Sequence, residues 1–310
     1  MIHHLLVPGL LELPGGGADS REPLRFPHLE RFIARAEAGR VEGHLKNLLM
    51  QRFGLAPDQG AAPLCYLADT GKRPESGVLR ACPVHLRADR DRVLLFPLDD
   101  TQLDGEEARE LAGRFNAHFS GDDLILEAVL PSRWYLHSAR LPESALAPLD
   151  EVAGRSLADF LPSGDKDRFW LSVINETQML FFDAPVNLAR EAAGHLPVNG
   201  LWFDGAGHMP SRVPAAPASI HGRHCLLQGL SACAHEQSGE ALTVVRDIQE
   251  ALLAQDANAW RQAYRGLEER LAFLMKSAEI MLYSCNGDCW HWKPSVNWRF
   301  WCLSRPLPGF

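Results

Sequence analysis

Guanidinium and imidazole groups crowd one stretch of this chain. From Arg80 to Arg92 it reads Arg-Ala-Cys-Pro-Val-His-Leu-Arg-Ala-Asp-Arg-Asp-Arg, which sets Arg80, His85 and Arg87 close together on a strand and turn. The planar fork of arginine suits phosphate or carboxylate, so the chemistry would be anion binding. A solvated, self-paired charged turn explains the same alternation, and both readings stay open. A second group, Arg190, Asp204 and His208, lies around a helix-to-strand turn and the strand Asn199-Gly200-Leu201-Trp202-Phe203-Asp204-Gly205-Ala206-Gly207. If that strand is parallel and buried, Asp204 and His208 stand at its carboxyl end, where open α/β sheets bind ligands. Tight turning explains the glycines equally well. These six residues are the candidate ligand set. Asn187, Arg190 and Asn199 also read as side chains that tie residues 183–200 together by hydrogen bonds, with Glu176 as an ion partner for Arg190.

Two clusters have metal-capable side chains. His221, His224, Cys225, Cys233 and His235 lie close in sequence, but H-x2-H-C-x7-C-x-H matches no zinc spacing with a mechanical basis, and Cys225 beside Leu226-Leu227 reads as core. Cys285, Cys289 and His291, with Cys302 beyond, could form a knuckle. A hairpin turning at Asn286-Gly287 is the preferred reading. Gly15-Gly16-Gly17 lacks the spacing of a phosphate cradle and reads as a loop.

The elements that must position these groups follow from periodicity. Ile2–Val7 is a buried strand, stopped by Pro8-Gly9. Helical spacing marks 27–36, 45–53 (closed by Gly54), 106–119, 169–182 and 258–276. Strands are expected at 78–86, 92–96, 124–129, 134–137, 200–203 and 279–283. The segment 185–190 reads as a Pro-bounded turn, Pro214–Pro217 as a loop, and the aromatic tail from Trp298 as packed. The chain has 310 residues, 46% apolar and 23% charged, with formal net charge −8 and pI about 5.9. That balance disfavours nonspecific nucleic-acid binding. Seven scattered cysteines, no basic-then-apolar leader and no membrane-length apolar run set the expectation of a reduced cytoplasmic protein.

The segment 175–207 resembles the archaeal-type cofactor-independent phosphoglycerate mutases, in which an Asn leads into N-x-x-W-x-W-G-x-G; here Asp204 replaces the second Trp. Pro27–Arg31, Phe53–Pro57 and Gly77–Ala81 are similar to other stretches of that family. The run 80–92 is similar to bacterial RpfE-type regulatory and phosphoglycerate mutase-like proteins. The resemblance implies an alkaline-phosphatase-like α/β core (residues 1–76 and 150–310) with an inserted α+β lid (77–149). It also implies two Mn²⁺ or Zn²⁺ ions around a Ser or Thr nucleophile. The chain departs from that pattern at four places. Val7-Pro8-Gly9-Leu10-Leu11 stands where the first metal Asp belongs, residues 41–69 contain no Ser or Thr, and no Asp-His pair follows 279–283. The run 246–251 lacks the His of the family's D-E-x-x-H.

The expectation is therefore a non-catalytic relative without cofactor, binding an anionic phosphorylated or carboxylate small molecule or a protein partner in a regulatory role, with no nucleic-acid or membrane partner. The alternative is an active mutase or phosphatase with a rearranged Mn or Zn site, built from Asp58, Asp69, Asp204 and Asp247 with His44 or His208, and Thr70 as nucleophile. A third reading is a structural subunit that uses the aromatic tail.

Overall fold

The computed structural model describes residues 1–14, 24–162, 167–298 and 302. The Gly15–Gly17 loop and most of the aromatic tail lie outside the described residues. Residues 1–58 supply β1 (Ile2–Leu6), α1 (Pro27–Arg35), β2 (Glu37–Arg40) and α2 (Leu45–Arg52). Residues 59–211 supply α3 (Ala62–Thr70), β3 (Gly77–Asp89), β4 (Arg92–Pro97), α4 (Gly105–His118), β5 (Leu124–Leu130), β6 (Arg133–Ser138), α5 (Leu149–Val152), α6 (Arg168–Phe182), α7 (Pro185–Ala192) and β7 (Gly200–Gly207). The rest supplies β8 (Val213–His221), α8 (Cys225–Cys233), β9 (Ala234–Val244), α9 (Asp247–Leu253), α10 (Ala257–Leu274), β10 (Glu279–Tyr283) and β11 (Asp288–Trp292).

These elements form two compact units, one of residues 1–58 with 212–310 and one of residues 59–211. The division differs from the expected insertion at 77–149, because β7 pairs with β3 and brings the segment 150–211 into the second unit.

The first unit is α/β. Its sheet runs β2-β11-β10-β1-β9-β8, with β1 parallel to both β9 and β10. A strand with parallel neighbours on both sides is buried on both faces, which suits the apolar half of Ile-His-His-Leu-Leu. Leu5, Ile280 and Leu282 share a core with Phe26, just before α1, with Phe32 from α1, and with Trp260, Tyr264, Leu267 and Leu271 from α10. α1 has Pro27 at its start, where the missing N–H is no loss, and no capping side chain of its own. Glu268 of α10 caps it instead, accepting the N–H of His28 at 3.0 Å and of Leu29 at 2.6 Å. Pro214–Pro217, expected as a loop, lies within β8. That strand is at the sheet edge, where a proline need not donate to a neighbour.

The second unit carries the order β4-β3-β6-β5, with β7 on the other edge of β3 and every pairing antiparallel. β7 is thus antiparallel rather than parallel, and the carboxyl-end argument for Asp204 and His208 lapses. One face packs on α4 and α6 through Leu79, Ala81, Trp134, Phe203, Phe115 and Trp170. α4 starts at a capping box, Asp104 accepting from Glu106 and Glu107 while Glu107 accepts from Asp104. The segment 185–190, expected as a turn, is α7 with Pro185 in its first turn.

Candidate functional site

Arg80 and Asp204 sit directly opposite each other on β3 and β7. The guanidinium grips the carboxylate with two bonds, Nε to Oδ1 at 2.5 Å and Nη2 to Oδ2 at 2.6 Å. Burial opposes the charge on Arg80, but the Asp204 carboxylate together with the Cys82 and Cys65 side chains outweighs it, and the guanidinium is held well above its ordinary pKa. Asp204 also accepts the N–H of Leu149 at 2.8 Å, and the Trp202 indole donates to the carbonyl of Ala147 at 2.9 Å. The first residue of α5 and the strap before it are therefore fastened to β7 by an acid and an indole.

Strand geometry separates Arg80 from two of its expected companions. Side chains alternate across a strand, so Arg80 and Cys82 lie on one face of β3 while His85 and Arg87 lie on the other. His85 donates from Nδ1 to the carbonyl of Pro197 at 3.0 Å, and Arg87 stacks over Phe96. Arg190 is buried and has its donors on Leu196 O, Glu107 and Gln102 O. Its carboxylate partner is Glu107 rather than Glu176, which instead binds Ser172 and His118. His208 is exposed, and its carbonyl accepts from Gln59. Of the six, only Arg80 and Asp204 are brought together.

The tying role of the asparagines is observed. Asn199 docks its amide on the backbone of Leu86, accepting its N–H at 2.6 Å and donating to its carbonyl at 2.9 Å. Asn187 does the same across Phe181 and Val198. Gly205 and Gly207 serve backbone packing against residues 60–62. A Cβ on Gly60 would meet the Ala206 carbonyl oxygen at 2.2 Å, and Gly205 has φ of +63°.

The carboxyl ends of β1 and β10 in the first unit lead into loops that are apolar or held by hydrogen bonds. Val7 and Leu10 are fully buried in the core beside Ile248. The loop is held to α10 by Tyr264, whose hydroxyl accepts the N–H of Leu11 at 2.9 Å, and by the Trp260 indole, which donates to Glu12 O. After β10, the Ser284 hydroxyl bonds Asn286 and the carbonyl of Asp288. The expected β10–β11 hairpin is present, but Cys285 and Gly287 take positive φ rather than the Asn286-Gly287 pair. His221, Cys225–Cys233 and His235 fall on β8, α8 and β9 in turn. None of the seven cysteines is in a disulfide.

One polar cluster had little signal beyond two histidines in an apolar strand. His4 is buried, with Nδ1 3.1 Å from the Tyr283 hydroxyl and Nε2 3.3 Å from Glu240. Burial, then the charge of Arg52, lowers its pKa, against a weaker pull from Glu240. Burial raises that of Tyr283.

The curated relatives bear one name. A 2,3-bisphosphoglycerate-independent phosphoglycerate mutase of Methanothrix thermoacetophila is 27% identical over 249 residues, 74% of this chain and 62% of that protein. The Methanosarcina barkeri protein of the same name is 26% identical over 114 residues, 36% and 29% of the respective chains. The chain is a distant homologue of these mutases. The matches span less than two thirds of the relatives' own length. No protein-family model matches. Among solved structures, a cofactor-independent phosphoglycerate mutase of Thermoplasma acidophilum aligns over 94% of this chain and 89% of that one, at 16% identity and TM-score 0.39. A Pyrococcus horikoshii protein aligns over 94% and 86%, at 12% and 0.45.

Proposed function

We propose that this homologue of the phosphoglycerate mutases has lost the two-metal phosphoryl-transfer centre and acts as a binding protein in a regulatory role. The observation that carries the reading is the loop after β1. Where the family pattern places a metal-binding Asp, Val7 and Leu10 are buried in an apolar core and the loop is bolted to α10. A two-ion site needs several oxygen and nitrogen donors from different segments, and two ions held about 3.5–4 Å apart. Among the described residues no three His, Cys, Asp or Glu side chains lie together to hold even one ion. Asp69 and Asp204, named for a rearranged site, are engaged by Arg133 with Tyr135 and by Arg80 with Leu149. The donor set does not fit the ions.

The test is elemental analysis after incubation with Mn²⁺ and Zn²⁺ and desalting, alongside a 3-phosphoglycerate to 2-phosphoglycerate assay. The expected result is no metal-dependent interconversion and less than one equivalent of metal. Two equivalents with turnover would overturn the proposal in favour of an active mutase, the reading that the 249-residue match supports.

A further inference from the structure

We infer that the outer face of α6 and α7 is a docking surface for a basic amphipathic segment of a partner protein. Met179 and Phe182 stand three residues apart on α6 and so share one face. They are 76% and 82% exposed, and Leu188 on α7 is 56% exposed. A single exposed apolar residue is ordinary, but large apolar side chains repeated along one outward helical face mark contact surfaces. The core makes no demand for them, since Val173, Ile174, Phe181 and Val186 fill the inward side.

Charge selects the occupant. Residues 59–211 carry 14 Lys and Arg against 23 Asp and Glu, a formal −9, whereas the remaining residues carry 17 against 16, a formal +1. The acidic character of the whole chain is therefore confined to this unit. Along this stretch the carboxylates are Glu176, half-buried on α6, and the exposed Asp183 between the helices and Glu191 on α7. Arg114 lies 3.3 Å from Asp183 and His118 lies 3.0 Å from Glu176, while Glu191 has no ion partner among the described residues. Arg190, the one cation of α7, is buried on Glu107. An apolar ridge on an acidic unit complements apolar residues flanked by Lys or Arg. A second copy would bring like charges together. The surface stands apart from the phosphoryl-transfer question, because it uses none of the residues on which that question turns.

The test uses the full chain and two synthetic amphipathic helices, one of leucine with lysine and one of leucine with glutamate, titrated calorimetrically at low and moderate salt. The lysine peptide is expected to bind, and to weaken several-fold as salt rises, as an electrostatic contact must. The pair Met179→Ser with Phe182→Ser should weaken it by about tenfold or more, with circular dichroism unchanged because both side chains are exposed. Glu191→Lys should weaken it by a smaller factor. Equal affinity for both peptides, binding by neither, or no effect of the double substitution would overturn the proposal. So would a dimer in sedimentation that Phe182→Ser dissolves, which would assign the face to a second copy.

Discussion

Breaking the Arg80–Asp204 pair should have unequal effects depending on which partner is removed. The Asp204 side chain is 1% exposed and the Arg80 side chain 27%. Asp204→Leu leaves a guanidinium that can turn toward water, whereas Arg80→Met strands a carboxylate that cannot. Removing one partner of a buried pair costs about 3–5 kcal/mol. The lower end, about 3 kcal/mol, applies to Asp204→Leu, which also orphans the Leu149 N–H, and the upper end to Arg80→Met. The double variant replaces both charges by apolar groups and should recover most of the loss, ending within about 2 kcal/mol of wild type and giving a coupling well above 2 kcal/mol. Urea unfolding of the full chain, with hydrogen exchange read at residues 77–84 and 200–207, measures each corner of the cycle. Single losses below about 1 kcal/mol, or a double loss equal to the sum of the singles, would refute the view that this pair is a desolvated unit.

Three further outcomes follow from the geometry. Glu268→Ala removes the carboxylate that caps α1 and should destabilise the first unit by about 1–2 kcal/mol, read as a lower urea midpoint. Asn199→Ala leaves the N–H and carbonyl of Leu86 without their amide partner. A loss of about 2 kcal/mol and faster exchange of the Leu86 amide are expected. His4 has a folded pKa below its unfolded value, so its contribution is present above about pH 6.5 and is lost as pH falls toward the folded value. Stability of the wild type should therefore drop on mild acidification more steeply than that of His4→Gln, and parallel profiles would contradict this.

Much of the second unit was legible because its signals are local. α4 is marked by apolar residues at helical spacing, and the Asp104 to Glu107 capping box fixes its start. The strands flanking it are short apolar runs, Arg92–Pro97 and Leu124–Leu130. Proline misled the reading twice, since it stops an element only where a donor is required. At the first turn of α7 and on the edge strand β8 none is. The Arg80–Asp204 contact joins positions 124 residues apart, and no periodicity carries that information. Strand parity did carry part of it. Arg80 and His85 are five residues apart on one strand and so fall on opposite faces, which splits the anion-binding set before any coordinate is known.

The place of β1 also sets the order in which this protein can be made. It lies between β9 and β10, so both strands that pair with it emerge from the ribosome long after it does. At roughly 5–20 residues per second, the interval from Leu6 to Val244 is about 10–50 seconds. The contiguous unit 59–211 is complete before β9 exists, while Ile2–Leu6 waits as an apolar strand with both edges open. The centre of the first sheet is thus translated well before both of its partners and is among the last segments of that sheet to pair, so during synthesis it needs shelter from other chains.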